Sequence, residues 1–391
     1  GIVGELEGRT VQNVWSTAQV EGTNIGGIVG RAVGGSILHA VWKTGSAGQA
    51  VGASSNGADV TTDVKVAPEA DMKLAATYTD WKDENGNAIV ATEGGKGTPW
   101  RIYEGKTTPM LTALMKGTKR LEKTYDGKTF GDGDAHILSD TALQKNAGTY
   151  DARGIYSDAF GYDLIGSTYR IAPRVLTMSG VASQTKTYDG NTNADATQFS
   201  ATLNNVVAGE ENLVAATAAG AAYNDKNVTA ANRIDYTGVA LRGADAGNYS
   251  IVSTAQGAGS ITAKQLNLAL MGGARFDKTY DGTANVTQSL TKGTNYNLNG
   301  FVTGEGTGIE LAPATGTYTD KNAAADKAVT FDGLTLTGTG AGNYTLNKTA
   351  LTGIGTIARR ALTLGAVAAQ TKTYDGTRAA DASKFRAALD N

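Results

Sequence analysis

Lys-Thr-Tyr-Asp-Gly occupies residues 123–127, 186–190, 278–282 and 372–376. Five identical residues repeated four times require the chain to be read as an array. Apolar-alternating segments precede the later copies: Leu176-Thr-Met178, Leu268-Ala-Leu270 and Leu362-Thr-Leu364. Asp-Gly is a turn signal, because glycine accepts positive φ and the aspartate side chain bonds the backbone just ahead of it. Tyrosine combines a large apolar body with a polar tip. Each copy therefore reads as a tyrosine anchored in a core at a strand end, followed by a tight turn.

The register extends well beyond the five residues. Tyr223-x-Asp-Lys-Asn227 recurs as Tyr318-x-Asp-Lys-Asn322, 95 residues on. The alternating set Ile234, Tyr236, Val239 and Leu241 recurs at Val329, Phe331, Leu334 and Leu336, and Ala246-Gly-Asn-Tyr249 as Ala341-Gly-Asn-Tyr344, at the same offset. Modules are thus expected over 173–263 and 264–359. A shorter relative covers 113–172, and a module cut about a third of the way through covers 360–391. Residues 362–391 match 176–205 at 18 of 30 positions. A remnant of that length lacks most of its core and is expected to pack poorly. Ile171 with Arg174, Ile261 with Lys264 and Ile357 with Arg360 mark the module ends, with no flexible linker between them. Such short joints imply a stiff series of domains.

Residues 1–50 carry a different repeat. Gly1-Ile-Val-Gly4 recurs as Gly27-Ile-Val-Gly30, Gly8 matches Gly34, and Val11 matches Ile37. Trp15 and Trp42 close the two units. A period in the twenties with short β pieces predicts coils of a solenoid. One coil cannot bury its own apolar face and at least three are usual, so the chain is expected to begin inside a longer solenoid. Residues 51–112 are its end and cap. Met72, Leu74 and Tyr78 read as a short helix or strand. Trp100, Ile102 and Tyr103 are placed over the last coil, and Pro109 ends the element.

Composition bounds the function. Gly is 52 of 391 residues and Pro only 5, which favours short strands and turns over long helices. A net charge of −2 offers no basic field for nucleic acid or anionic lipid. Without cysteine, disulfides, thiolate zinc sites and cysteine nucleophiles are excluded. Only His39 and His136 are available for histidine chemistry. No apolar run reaches the length of a membrane span.

Gly-Ile-Val-Gly followed by an apolar-x-Asn-apolar-Trp run resembles the GLUG motif of bacterial surface exoproteins. Residues 98–111 resemble the stretch that closes β-helical regions in filamentous-haemagglutinin-like adhesins. Lys-Thr-Tyr-Asp-Gly, Tyr-x-Asp-Lys-Asn and Ala-Gly-Asn-Tyr together resemble YDG and MBG domains of the same large exoproteins, across nearly all of 113–391. The resemblance implies two-partner secretion through an outer-membrane pore partner, and a secreted, cell-surface location. Freedom from cysteine agrees with export of an unfolded chain.

Candidate chemistry is sparse. Asp189, Asp225, Asp245, Asp281 and Asp320 are the repeated carboxylates, readable as calcium ligands or as turn residues. The turn reading is the simpler one, because Gly340 replaces Asp245 in the next module and no dense acidic loop is present. Asp132, Asp134 and His136 sit in a Gly-rich turn and read as a surface loop. Tyr188, Tyr223 and Tyr249 could stack sugars, but their recurrence beside apolar alternation reads as core, with hydroxyls bonded at the rim. Trp15 and Trp42, at corresponding places in two coils, read as packed inside or against the solenoid. Glu5, Glu7 and Glu21 are the only acids in the coils, so a glycosidase pair there would have to be drawn from these three. No catalytic, cofactor-binding or metal-ligating residue is assigned.

The expected architecture is all-β: the C-terminal end of a β-solenoid, then tandem β-sandwich or β-grasp-like modules. A β-grasp needs a helix, and 205–222 is the one place for it. The expected function is structural and adhesive, a stalk that projects a region binding a host, matrix or biofilm component, with the fragment itself monomeric. The alternative is a carbohydrate- or mucin-binding array acting by avidity. The third is a polysaccharide-degrading enzyme.

Overall fold

The computed structural model describes residues 1–55 and 59–390. The expectations that fall on 56–58 and on Asn391 lie outside them. The described chain is all-β: strands and short 3-10 turns, with no α-helix among the described residues. None of its helical turns is long and apolar enough to cross a membrane. It divides into two compact units. The first is Gly1–Thr177, Leu203–Ala216 and Leu241–Ile251; the second is Met178–Thr202, Thr217–Ala240 and Val252–Asn391. The sequence repeat 173–263 is therefore shared between them.

The first unit opens on parallel strands β1 (Val3–Ser16), β2 (Val29–Lys43), β3 (Val51–Ser54) and β4 (Asp59–Ala67). β1 pairs with β2 at a constant offset of 26, as in Val3↔Val29 and Val11↔Ile37. β3 and β4 both pair with β2. β3 and β4 thus add a further parallel layer to the ladder that no Gly-Ile-Val-Gly announces. Pairing through the backbone needs only extended chain, so the layer forms without the motif. Each long strand bends at one non-glycine residue of positive φ, Asn13, His39 and Asp63, and β1 and β2 bend at Gly8 and at Gly34 and Gly35 as well. Asn, Asp and His are the non-glycine residues that tolerate this conformation best.

The tryptophans are not equivalent. Their spacing is 27 and the ladder offset is 26, so Trp42 pairs with Ser16, and Trp15 with Val41. A one-residue slip sends a side chain to the other face of a strand. Trp42 is buried with Leu6, Ile28, Ala32 and Ile37. A Cβ on Gly27 would lie 2.3 Å from its indole, which requires glycine there. Trp15 instead packs against the cap cluster and donates its indole N–H to the Pro109 carbonyl at 2.7 Å.

The part expected to cap the ladder forms one buried cluster, Met72, Tyr78, Trp81, Ile89 and Ile102 packed on Val41 of β2 and Ala67 of β4. Met72 and Tyr78 lie in 3-10 turns, Asp71–Lys73 and Ala75–Tyr78. Tyr78, Trp81 and Trp100 meet edge to face, at centroid distances of 4.8 and 5.3 Å. Tyr103 does not join them. It follows Ile102 and belongs to the next core, as alternation along an extended segment dictates.

That next core joins the short module to half of its successor. The strands Gly148–Asp151, Asp163–Ala172 and Thr118–Thr124 form one sheet in that order. Arg174–Val175 runs parallel to Tyr249–Ser250. Leu121, Tyr125, Tyr169 and Ile171 then share a core with Leu176, Val214 and Tyr249. A module of about 60 residues buries a smaller share of its surface alone than a larger domain does and is correspondingly marginal, so the borrowed side chains matter.

In the second unit two four-stranded sheets repeat one order. One is Gln184–Thr187, Thr254–Thr262, Arg233–Thr237, Gly220–Tyr223. The other is Lys278–Thr279, Leu351–Ala358, Ala324–Phe331, Gly316–Tyr318. The alternating set is buried as its period requires: Ile234, Tyr236, Val239 and, 95 on, Val329, Phe331, Leu334. A second sheet, Tyr296–Asn299, Lys264–Leu270, Tyr344–Leu346, shares its core with the sheet that starts at Lys278. Residues 205–222 contain loop and the strands Ala215–Thr217 and Gly220–Tyr223, so the helix that a β-grasp needs is absent from its one candidate place. The many alanines there favour helix only weakly, and tertiary pairing overrides such a preference.

Candidate functional site

The tyrosine of Lys-Thr-Tyr-Asp-Gly marks the site. In the first three copies the strand that leads into the tyrosine pairs parallel with the last strand of its own module, as in Lys123↔Ile171, Lys186↔Ile261 and Lys278↔Ile357. Each tyrosine N–H then donates to that strand: Tyr125 to Ala172, Tyr188 to Thr262, Tyr280 to Ala358. The aspartate accepts from the backbone N–H two residues on and from its own lysine. The four ion pairs, Lys123–Asp126, Lys186–Asp189, Lys278–Asp281 and Lys372–Asp375, span 2.6 to 2.9 Å. In the third copy the Lys278 hydrogen bond, followed by those of Thr283, lowers Asp281 to about 2.

These contacts settle what the repeated carboxylates touch. Asp189 and Asp281 bond their own turns. Asp225 accepts from the Asn227 N–H and side-chain amide, and Asp320 from the Asn322 N–H and Lys327. Asp245 precedes a 3-10 turn, the place Gly340 takes at φ 83°. Among the described residues no three acidic or histidine side chains gather as a metal site would require. Chelator is therefore expected to leave the melting temperature unchanged. A drop in EDTA, restored by calcium, would overturn this. Asp134 pairs with Lys119 at 2.6 Å, and His136 with Asp158 at 2.9 Å. Asp132 closes a turn by donating its backbone N–H to Thr129. Glu5 pairs with Arg31 on the exposed side of the ladder; Glu7 and Glu21 are exposed.

Above the turn, the tyrosine hydroxyl reaches into the following repeat. The Tyr125 hydroxyl donates to Glu210 Oε1 at 2.6 Å, and the Tyr249 hydroxyl to Glu210 Oε2 at 2.5 Å. In the second unit Tyr188 donates to Glu305 Oε1 at 2.8 Å and Tyr344 to Glu305 Oε2 at 2.5 Å. Both tyrosine pairs meet edge to face at 5.4 Å and 79°. The backbone N–H of Val207 or Val302 donates to the second hydroxyl. Asparagine completes the joint. Asn248 Oδ1 accepts from the Ala147 N–H at 2.8 Å, and Asn343 Oδ1 from the Val228 N–H at 2.9 Å. So Ala-Gly-Asn-Tyr of one repeat clamps the Lys-Asn loop and the Tyr-Asp-Gly turn of the repeat before it.

Tyr188, Tyr223 and Tyr249 are buried, so none is displayed as a sugar platform. The glutamates were missed, although they lie in a repeated signal: Val-x-Gly-Glu at 207–210 and 302–305 keeps the same 95-residue offset. Lys145-Asn146 in the short module likewise stands for the Lys-Asn of Tyr-x-Asp-Lys-Asn.

The joint has a pH signature. Burial first, then the Glu305 hydrogen bond, raises Tyr188 to about 12, and the same causes raise Tyr344 to about 12. Burial and Glu210 raise Tyr249 to about 12 and push Tyr125 up as well. Burial alone would raise Glu305, but the hydrogen bonds from Tyr344 and Tyr188 outweigh it and lower the carboxyl. Folded tyrosines titrating above the ordinary value near 10 contribute stability that is complete below about pH 10 and is lost as pH rises toward 12. Glu305 contributes above its unfolded value and loses that contribution as pH falls through the lower folded one. Denaturant midpoints are expected to fall steeply above pH 10. Phenolate absorbance that rises in folded protein as a single step centred near pH 10 would contradict this.

The chain matches no curated protein and no solved structure. Two consecutive stretches, residues 172–257 and 262–351, each match the model of the YDG domain; they hold Tyr188, Glu210, Tyr249, Glu305 and Tyr344 of the two joints, whereas Tyr125 and Ala147 lie outside them.

Proposed function

We propose that the chain is a structural segment of a large secreted bacterial surface protein, a filamentous-haemagglutinin-like adhesin. Residues 1–112 act as the end and cap of a β-solenoid. The YDG/MBG-type repeats act as sandwich-like modules of a stiff stalk that projects a binding region for host, matrix or biofilm components. The parent chain leaves the cell by two-partner secretion and works at the outer surface. The observation that carries this reading is the joint, made twice from the same residue types in the same roles. Directional hydrogen bonds across a largely buried contact hold neighbouring repeats in one register, whereas an apolar contact alone lets them slide.

The reading is mechanical, so the test is too. Pulled from its ends, the protein is expected to unfold in discrete steps, and Glu305→Ala is expected to lower the force of one of them. A featureless extension at low force would end the stalk reading. Saturable binding on a glycan array would favour the carbohydrate-binding array instead.

A further inference from the structure

The third tyrosine, Tyr280, has the same backbone setting as Tyr125 and Tyr188 but lacks their company. Its N–H bonds Ala358, and Lys278 pairs with Asp281, as in the earlier copies. No described residue bonds its hydroxyl. Instead Tyr280, Asn322, Ala323, Arg359, Arg360 and Leu362 line an open groove of about 580 Å³. Each has a counterpart in a filled joint. Asn322 and Ala323 stand 95 residues after Asn227 and Val228, which the Asn343 side chain clamps. Arg360 stands where Arg174 and Lys264 pair with Tyr249 and Tyr344.

Three further observations show that a partner's place is open. Leu176 and Leu266 are 1% and 0% exposed, whereas Leu362 is 55% exposed. A Cβ on Gly127 or Gly190 would meet Val207 or Val302 at 2.8 or 2.9 Å, whereas one on Gly282 would meet nothing within 4 Å. Lys264–Leu270 has a strand on each side, Tyr296–Asn299 and Tyr344–Leu346, whereas Thr363–Val367 pairs with Ala387–Asp390 alone. An apolar strand with one free edge is a template for strand addition.

We propose that this face docks one more half-module of the same kind, a segment carrying Val-x-Gly-Glu and then Ala-Gly-Asn-Tyr. Its glutamate takes the Tyr280 hydroxyl beside Arg359 and Arg360, its asparagine clamps the Asn322–Ala323 loop, and its Ala-Gly-Asn-Tyr strand adds parallel to the free edge at Arg360. The half-module arrives in cis. At both filled joints it is joined through the segment that begins at Arg174 or Lys264; the corresponding segment here begins at Arg360 and runs into the strand Thr363–Val367, with Leu362 already in the groove. So short a tether gives a high effective concentration.

The test extends the chain after Asn391 with a second copy of residues 206–263, continuing the register in which 362–391 repeats 176–205. Hydrogen exchange is then followed at 278–282 and 360–367. It is expected to slow by about tenfold or more, the effect of one added buried polar joint. The same extension with its copied Glu210→Ala is expected to lose most of that slowing. Unchanged exchange in the extended chain overturns the proposal, whether or not the added residues fold. So does slowing that survives intact without the copied carboxylate. The outcome depends on the joint alone, so it is separable from failure of the adhesive reading, which force and glycan binding decide.

Discussion

Glu210→Ala is expected to destabilise the first unit by about 3 kcal/mol, because two phenols lose their acceptor at once. Tyr125, Tyr249 and Glu210 are all buried, so water cannot readily replace the carboxylate. A buried hydroxyl left without a partner costs roughly 1–3 kcal/mol, and two of them share this one residue. Glu210→Gln keeps one acceptor oxygen and is expected to cost less, about 1 kcal/mol. Tyr125→Phe removes one donor and leaves Tyr249 on the glutamate, an intermediate case. Because the three side chains form one network, Tyr125→Phe combined with Glu210→Ala is expected to cost less than the sum of the two. Glu305→Ala is expected to be milder than Glu210→Ala, since the Glu305 side chain keeps 26% exposure. Residue-level exchange free energies check this unit by unit. A loss under about 1 kcal/mol at Glu210, or strict additivity of the pair, would show that packing rather than the carboxylate holds the joint.

Asp163→Ala is expected to be at least as damaging, about 3–5 kcal/mol, for a different reason. Asp163 Oδ1 accepts from Arg101 Nε at 3.0 Å, and Oδ2 from the Gly95 N–H at 2.7 Å. Arg101 is 6% exposed in its side chain; its guanidinium also donates to the carbonyls of Thr92 and Ile102 and lies over the Tyr103 ring. Removing the carboxylate strands a guanidinium where water is scarce, and that stranded charge accounts for most of the cost. The pair also pins the cap strand Trp100–Arg101 to Asp163–Ala172, so the loss should loosen residues 91–103 first. Asp163→Asn keeps the acceptor geometry at one oxygen and is expected to cost less than half as much. Replacing both residues together, Arg101→Met with Asp163→Leu, is expected to recover much of the loss, because the buried charge is then gone. Near-wild-type unfolding of Asp163→Ala alone would mean that Arg101 finds water.

The repeats were legible because they are local chemistry. Asp189 and Asp281 turn the chain within two residues and take a lysine three residues back, so nothing distant has to be known. The 26-residue ladder offset follows from Gly1-Ile-Val-Gly4 and Gly27-Ile-Val-Gly30, and the buried set at Ile234 and Val329 follows from alternation. These are properties of extended backbone with a period of two.

What lay hidden depends on which strand meets which. The strands Val51–Ser54 and Asp59–Ala67 that pair with β2 carry no motif, since backbone pairing asks for none. Trp15 and Trp42 look equivalent until a one-residue difference between their spacing and the register sets them on opposite faces. Alanines in 205–222 suggest a helix until strand pairing claims them.

By itself the sequence determined an all-β chain of repeating units, their register and their turns, because periodicity and turn preference act over a few residues. Only the tertiary structure decided that Tyr125 and Tyr188 are each completed by a glutamate of the following repeat. That glutamate lies 85 residues away for Tyr125 and 117 for Tyr188. Which phenol a carboxylate finds at that distance is set by how whole sheets pack, and no local pattern encodes it.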